Sequence, residues 1–388
     1  MLMARAEADE LEHFGYRPDA LAAAADYVID TIRHAYPTLD IPYHARWRHF
    51  VVDGRDRWAV LANRCSDVDR DEIARIRIDL AVTSVLLDAG AGADWRYRDS
   101  VSGRELARSE GLAIASFDMF AGGTFSADPD RPLRADAEAL ESVSDSDLAK
   151  GFQAGPDNPL VGIEGRASLV RQLGRALRGN PEHFGAAQPR IGNLFDYLQA
   201  RANGGSLPAV DILTSVLTGL GEIWPGRVEL DDINLGDVWR HPAAAADDVT
   251  DGLVPFHKLS QWLTYSLIEP LEEAGLTVSG LDALTGLAEY RNGGLFLDTG
   301  VLVPKHQAVI EQAHRPGDVV IVEWRALTIA LLDRLAVDVR TKLGLDDKAF
   351  PLAKVLEGGS WGAGRRIAAE RRPDGAPPIR LESDGTVF

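Results

Sequence analysis

The residues best suited to chemistry fall in the segment LTGLAEYRNGGLFLDTGVLV, positions 284–303. Leu284, Leu287 and Ala288 are spaced as the apolar face of a helix. Glu289, Arg291 and Asn292 follow, then Gly293 and Gly294, an apolar run and Asp298. Glycine carries high backbone entropy and accepts dihedrals that other residues avoid, so the pair predicts a helix that breaks off among apolar residues. Two carboxylates, an amide and a guanidinium are costly to bury there unless they are paired or used. One carboxylate can stabilise a developing positive charge while another orients or deprotonates water. Glu289 and Asp298 suit those two roles, and the sequence does not assign one to each. A buried Glu–Arg pair that fixes a turn accounts for the same residues.

Other segments supply groups that could hold a substrate. In PFHKLSQWLTYSLIEPL, His257, Lys258 and Gln261 fall within one turn, and Lys258 and Gln261 share a face at a spacing of three. A lysine beside a glutamine on an otherwise apolar helix suits a phosphate or a ribose hydroxyl; a surface lysine at a helix junction is the plainer reading. In HARWRHF, Arg46 and Arg48 could bind an oxyanion and Trp47 could stack on a planar group, with His44 and His49 beside them. Asp118 sits among Phe117, Phe120 and Phe125, an aromatic wall or simply a packed helix end. Trp324 and Arg325 are further candidates, Arg325 either for substrate or for fixing a buried acid. Glu323 and Arg325, two apart, do not face each other. The glycines of LEGGSWGAGRRIAAERR suggest a phosphate loop, but GxxxxGK[ST] is missing and no strand precedes them. Trp361, Arg365 and Arg366 could close a pocket, or the glycines could serve a tight helix crossing.

Much is excluded. His44 and His49 are poorly spaced for metal ligands on one helix, and HExxH and EF-hand patterns are absent, so no metal site is expected. There is no GxSxG elbow, and Cys65, the single cysteine, has no adjacent histidine; disulfides and thiolate zinc clusters are ruled out. With 41 Lys and Arg against 59 Asp and Glu, the net charge of −18 argues against nucleic acid or an anionic membrane as partner. No apolar run is long enough to span a bilayer, and the N-terminus lacks a secretory pattern, so a cytoplasmic protein is expected. Composition leaves the oligomeric state open.

The elements that must position these residues are helical. Apolar periodicity predicts helices over 20–35, 71–88, 103–120, 136–153, 164–177, 191–202, 209–224, 258–274 and 319–343, with a last one starting near Leu352 and breaking around 358–364. Pro270 predicts a kink or a new start. Residues 228–249 read as surface loop with a short helix. VVDG, GLFLD and RLES are the only strand-like fragments, and the tail 373–388 reads as irregular, with a final apolar residue able to pack back on the body. The expectation is a mainly α, compact, multi-helical protein, one unit over 1–388, with soft subdomain boundaries near 129–159 and 226–251.

Three segments together closely resemble one family: FHKLSQWLTYSL (256–267), EYRNGGLFLDTGVL (289–302) and LEGGSWGAGRRIAAERRPDGAPPIRLESDGTVF (356–388). The resemblance is to the URC4/Urg3 uracil-catabolism family, also described as a domain of unknown function, and it covers nearly the whole chain. It implies a place in a pathway that degrades uracil through ribosylated intermediates toward urea. FHKLSQWL and LAEYRNGGLF also bear a more distant likeness to the queuosine-salvage nucleotide N-glycosidases, which implies a DNA-glycosylase-like helical core and hydrolysis of an N-glycosidic bond. On that likeness Lys258 and Gln261 match one motif and Tyr290 and Arg291 another, with Glu289 where an aspartate is expected. The implied reaction is hydrolysis of ribosylurea or its 5′-phosphate, releasing urea. The implied partner is a ribosylated small molecule with or without phosphate, and no cofactor is required. Arg46, Lys258 and Arg291 would meet phosphate or hydroxyls, and Gln261 and Asn292 would orient urea or sugar. Ring opening or amide hydrolysis of an earlier pyrimidine-derived intermediate is the competing enzyme reading, and a non-catalytic binding or scaffold protein is the third.

Overall fold

A computed structural model describes residues 1–224 and 226–382. The expectation for the last apolar residue of the tail lies outside the described residues. The protein is mainly α-helical, and its described strands pair only two by two. It divides into two compact units. The first comprises Met1–His44, Gly226–Gln261 and the described chain from Leu281 onward; the second runs from Ala45 through Trp224 and from Trp262 to Gly280. The Lys258–Glu273 helix gives its first turn to the first unit and the rest to the second.

The first unit is built on the Val319–Leu343 helix. Its predicted span is also the observed one, because the periodic apolar run ends where Gly344 takes a left-handed φ of 69° and cannot extend the helix cheaply with any other residue. Leu21–Ala35, Tyr290–Asp298 and Trp361–Arg371 are the other long helices of this unit. Phe14–Tyr16 pairs antiparallel with Leu302–Pro304. Buried Glu323 accepts the backbone N–H groups of His13 and Phe14 at 3.1 and 2.9 Å, which fixes the start of that strand.

In the second unit, Arg70–Leu86 is buried on every side over its last two turns, so it forms the centre of this unit's core. Asp69 caps it by accepting from the Glu72 N–H. Arg108–Ala121, Ile163–Gly179 and Ala209–Leu220 complete the longer helices. Pro270 neither ends nor restarts its helix. Proline cannot donate to the carbonyl four residues back. That carbonyl, of Ser266, instead accepts the Trp47 indole N–H at 2.8 Å.

Several expectations are corrected. The 284–303 segment is not a helix broken at glycine: residues 285–289 are irregular and the helix begins at Tyr290 and runs through Gly293 and Gly294. GLFLD is therefore helix, not strand. The glycines are there for space. A Cβ on Gly293 would lie 2.7 Å from the Trp324 ring, and one on Gly364 would press into the Arg291 carbonyl oxygen. The last helix likewise does not break at Gly358 and Gly359; it widens into a π turn over Leu356–Ser360 and continues as Trp361–Arg371. The 136–153 stretch is two helices, Ala137–Ser142 and Asp145–Gly151, because Ser144 and Asp147 form a capping box that starts a new one. The 228–249 loop contains Val238–Arg240, which pairs with Leu253–Pro255.

Candidate functional site

The site grows from the N-terminus of the Tyr290–Asp298 helix. Glu289 is its N-cap, and its two carboxylate oxygens accept the Arg291 N–H at 2.8 Å and the Asn292 N–H at 2.6 Å. A carboxylate there meets the positive end of the helix dipole. Burial nevertheless raises the Glu289 pKa; the two N–H bonds and the positive fields of Lys258 and His44 pull the other way. Glu289 therefore holds a proton more readily than an ordinary glutamate, as a group that trades protons requires.

Its neighbours fix this position. Fully buried Asn292 donates to the Leu287 carbonyl at 3.1 Å and accepts from the Ser360 hydroxyl at 2.9 Å. Arg291 donates to the Gly375 carbonyl at 2.8 Å, with its guanidinium beside the Tyr290 ring. Gln261, also buried, accepts from the Thr285 N–H at 3.3 Å and so ties the Lys258–Glu273 helix to the strand of chain leading to Glu289.

A second carboxylate, Asp237, organises the start of the Lys258–Glu273 helix. It accepts from the Lys258 N–H at 3.0 Å and the Trp239 indole at 2.7 Å, and it takes both arms of Arg325. Burial opposes its charge, but Arg325 and these donors outweigh it and hold its pKa below the usual carboxylate range. His257, just before the helix, sits at a φ of 48°, a left-handed conformation uncommon outside glycine.

The third part is His44 with Glu357. Their side chains meet at 2.8 Å through Nδ1, both are largely buried, and the Tyr36 hydroxyl also reaches Glu357. The π turn carries Glu357, and the His44 N–H donates to the Ala353 carbonyl, which fixes the facing strand of chain. A carboxylate that holds one imidazole nitrogen orients the ring for proton transfer at the other.

The structure thus brings together Glu289, Lys258, Gln261, Tyr290, Arg291, Asn292 and Arg325 in the first unit. It adds His44, Glu357 and Asp237, which were not chosen from the sequence. Glu357 and Asp237 carry no local signal: one hides among glycines and the other in an aspartate-rich loop. Asp298 is not brought to Glu289. The two stand at opposite ends of one helix, roughly 13 Å apart along its axis at about 1.5 Å per residue, and Asp298 takes both arms of Arg372 at 2.8 and 2.6 Å. Trp324 is 1% exposed and packed on Gly293, so it shapes the helix crossing and has no face for a ligand.

The remaining candidates belong to the second unit. Arg46 is fully buried, donates to Ser84 at 2.7 Å and pairs with Asp88. Trp47 is buried, with the Arg77 guanidinium 4.1 Å over its ring. His49 meets the Trp262 ring edge to face at 5.8 Å. Asp118 accepts from Arg57 and from the Tyr97 hydroxyl, and burial raises its pKa. Phe117, Phe120 and Phe125 are core residues, not an open wall. Among the described residues no group of three or more His, Cys, Asp or Glu is arranged to hold a metal ion, and no helix is long and apolar enough to cross a membrane.

Residues 1–388 match the family described as "Protein of unknown function (DUF1688)". The chain is 40% identical to Protein urg3 of Schizosaccharomyces pombe, over 100% of this chain and 95% of that protein. This chain belongs to the URC4/Urg3 family. A second relative, Uracil catabolism protein 4 of Lachancea kluyveri, is also 40% identical, over 97% of this chain and 92% of its own length. Since the alignments span both units, Glu289, Lys258 and the His44–Glu357 pair all lie within the part that the family shares.

Proposed function

We propose that this protein acts in uracil catabolism by hydrolysing the N-ribosyl bond of ribosylurea or ribosylurea 5′-phosphate. Water adds at C1′ and gives up a proton, the C1′–N bond breaks with its electron pair going to nitrogen, that nitrogen takes up a proton, and urea and ribose or ribose 5-phosphate leave. The observation that carries this reading is Glu289: a carboxylate fixed by two backbone N–H groups, with its pKa raised by burial, near Lys258 and the His44 ring. Such a group can orient and deprotonate the water or stabilise the positive charge that develops on the sugar. Lys258 is the candidate for a sugar hydroxyl or phosphate, and Gln261 and Asn292 hold the backbone leading to Glu289, at the Thr285 N–H and the Leu287 carbonyl. The pathway itself is supported by the names of the two relatives.

A second reading draws on His44 and Glu357. An imidazole oriented by a carboxylate is suited to activating water against an amide carbonyl, which fits ring opening or amide hydrolysis of an earlier pyrimidine-derived intermediate. One experiment separates the two. Purified protein is incubated with ribosylurea and with its 5′-phosphate, and urea release is measured beside Glu289→Gln. The expected result is release that falls by about 10²–10⁴-fold in the variant. No release from either compound by folded protein would sink the glycosidic reading and leave the amide reaction.

A further inference from the structure

In the second unit, a cleft of about 580 Å³ lies between the segments around Arg131–Arg134 and Gly185–Arg190 and the Arg70–Leu86 helix. Its size falls within the range of small-molecule sites, roughly 300–1,000 Å³. Four arginines line it, Arg75, Arg131, Arg134 and Arg190, against the two carboxylates Glu72 and Asp196. On a chain of net charge −18 this is a local reversal of sign.

Arg134 is the informative member. It is 6% exposed, and its buried Nε has no hydrogen-bond partner among the described residues. The carboxylate beside it, Asp136, stands 4.0 Å from Nε and is already accepting the Ala127 and Ala139 N–H groups. Arg190 is buried too. It pairs with Asp79 and Glu72, yet one of its buried terminal nitrogens also lacks a partner. Burial, together with the positive charges of Arg190 and Arg131, pushes the Arg134 pKa down. Arginine does not give up its proton in proteins, so a buried guanidinium with unmade bonds beside a second one is costly unless an anion completes it.

We infer that this cleft binds a phosphate-bearing small molecule, with Arg134 and Arg190 as its buried contacts and Arg131 at its mouth. Guanidinium pairs recognise phosphate through several charge-assisted bonds at once, and a dianion answers two arginines better than a monoanionic carboxylate does. None of the residues around Glu289 contributes, so the site is additional to the proposed hydrolytic one.

The test is equilibrium dialysis of the full chain with labelled inorganic phosphate at fixed ionic strength, with acetate as competitor. Lys258→Met separates this site from any phosphate held near Glu289. Saturable binding is expected in the unaltered protein and in Lys258→Met, resisting equimolar acetate. It is expected to be lost in Arg134→Met and weakened several-fold in Arg131→Gln, a surface change that leaves folding intact. Absence of binding, binding that Arg131→Gln and Arg134→Met leave unchanged, or binding lost only in Lys258→Met would overturn the assignment. Displacement by equimolar acetate would overturn it in favour of a general carboxylate site.

Discussion

Arg325 and Asp237, 88 residues apart, meet through two parallel hydrogen bonds of 2.9 and 2.8 Å, and the same guanidinium donates from Nε to the Ala288 carbonyl at 3.3 Å. One side chain therefore holds the start of the Lys258–Glu273 helix and the residue that precedes Glu289. Arg325 also lies 4.0 Å over the Phe256 ring, so its position is fixed from a third side. The spacing of Lys258 from Glu289 depends on this pair.

Breaking it should be costly. Both partners are largely buried, with side-chain exposures of 1% and 15%. Removing one leaves the other charge without its counterpart, which typically costs about 3–5 kcal/mol. Arg325→Met and Asp237→Asn are each expected to lower the urea midpoint strongly, and Arg325→Lys to recover only part of the loss because an ammonium cannot reproduce the two-armed geometry. Denaturation of the single and double variants checks this: additive losses would mean that the two residues do not act as a unit.

The pH dependence follows from Glu289. Its folded pKa lies above the ordinary glutamate value, so between the two values the folded state binds more protons than the unfolded state. Stability must then fall as pH rises from the ordinary glutamate pKa through the folded one. Glu289→Gln, which keeps one oxygen to accept one of the two cap N–H groups and does not titrate, is expected to flatten that fall. Thermal midpoints of both proteins measured from pH 4 upward would reveal it; parallel curves would show that Glu289 is not perturbed.

How much of this was legible in the sequence varies with the range of the physics. The Val319–Leu343 and Leu21–Ala35 helices were readable because apolar periodicity is local. The glycine pairs misled, since the pattern of Gly293 and Gly294 is the same whether glycine stops a helix or admits a neighbouring one. Only the approach of Trp324 decides it. Glu289, Lys258 and Gln261 were readable as odd polar groups in apolar surroundings. His44 and Glu357 were not, because their meaning lies in a contact across 313 residues. Arg46 and Trp47 looked like ligands for the same reason that they are buried: polar and aromatic groups crowded together signal a network, and the sequence does not say whether a substrate or Asp88 completes it.

The glycine reading can be tested directly. Gly364→Ala places a methyl against the Arg291 carbonyl, which is backbone and cannot swing away. Overpacking typically costs about 1–3 kcal/mol, and here the Tyr290–Asp298 helix must shift and carry the Glu289 cap with it. Reduced urea release together with lower stability is expected. Gly300→Ala is the contrast: it has open space but a φ of 76°, so it should cost stability through backbone strain with turnover little changed. Equal loss of turnover in both variants would separate the glycine crossing from the site.

Trp47 and Pro270 should be coupled. In the unaltered protein the Ser266 carbonyl, which Pro270 cannot serve, accepts the Trp47 indole at 2.8 Å. Trp47→Phe removes that donor and leaves a buried acceptor unmet, a loss of about 1–3 kcal/mol before any change in packing. Pro270→Ala restores a backbone N–H four residues along the helix from Ser266, so it supplies the missing partner. In the Trp47→Phe background this second change should be more favourable, by about 1 kcal/mol, than in the unaltered protein, where the indole already occupies the carbonyl. A double-mutant cycle by chemical denaturation gives the coupling energy. A value near zero would mean that Trp47 is held by its ring contacts with Arg77, Phe50 and Trp58 and that the helix tolerates Pro270 without the indole bond.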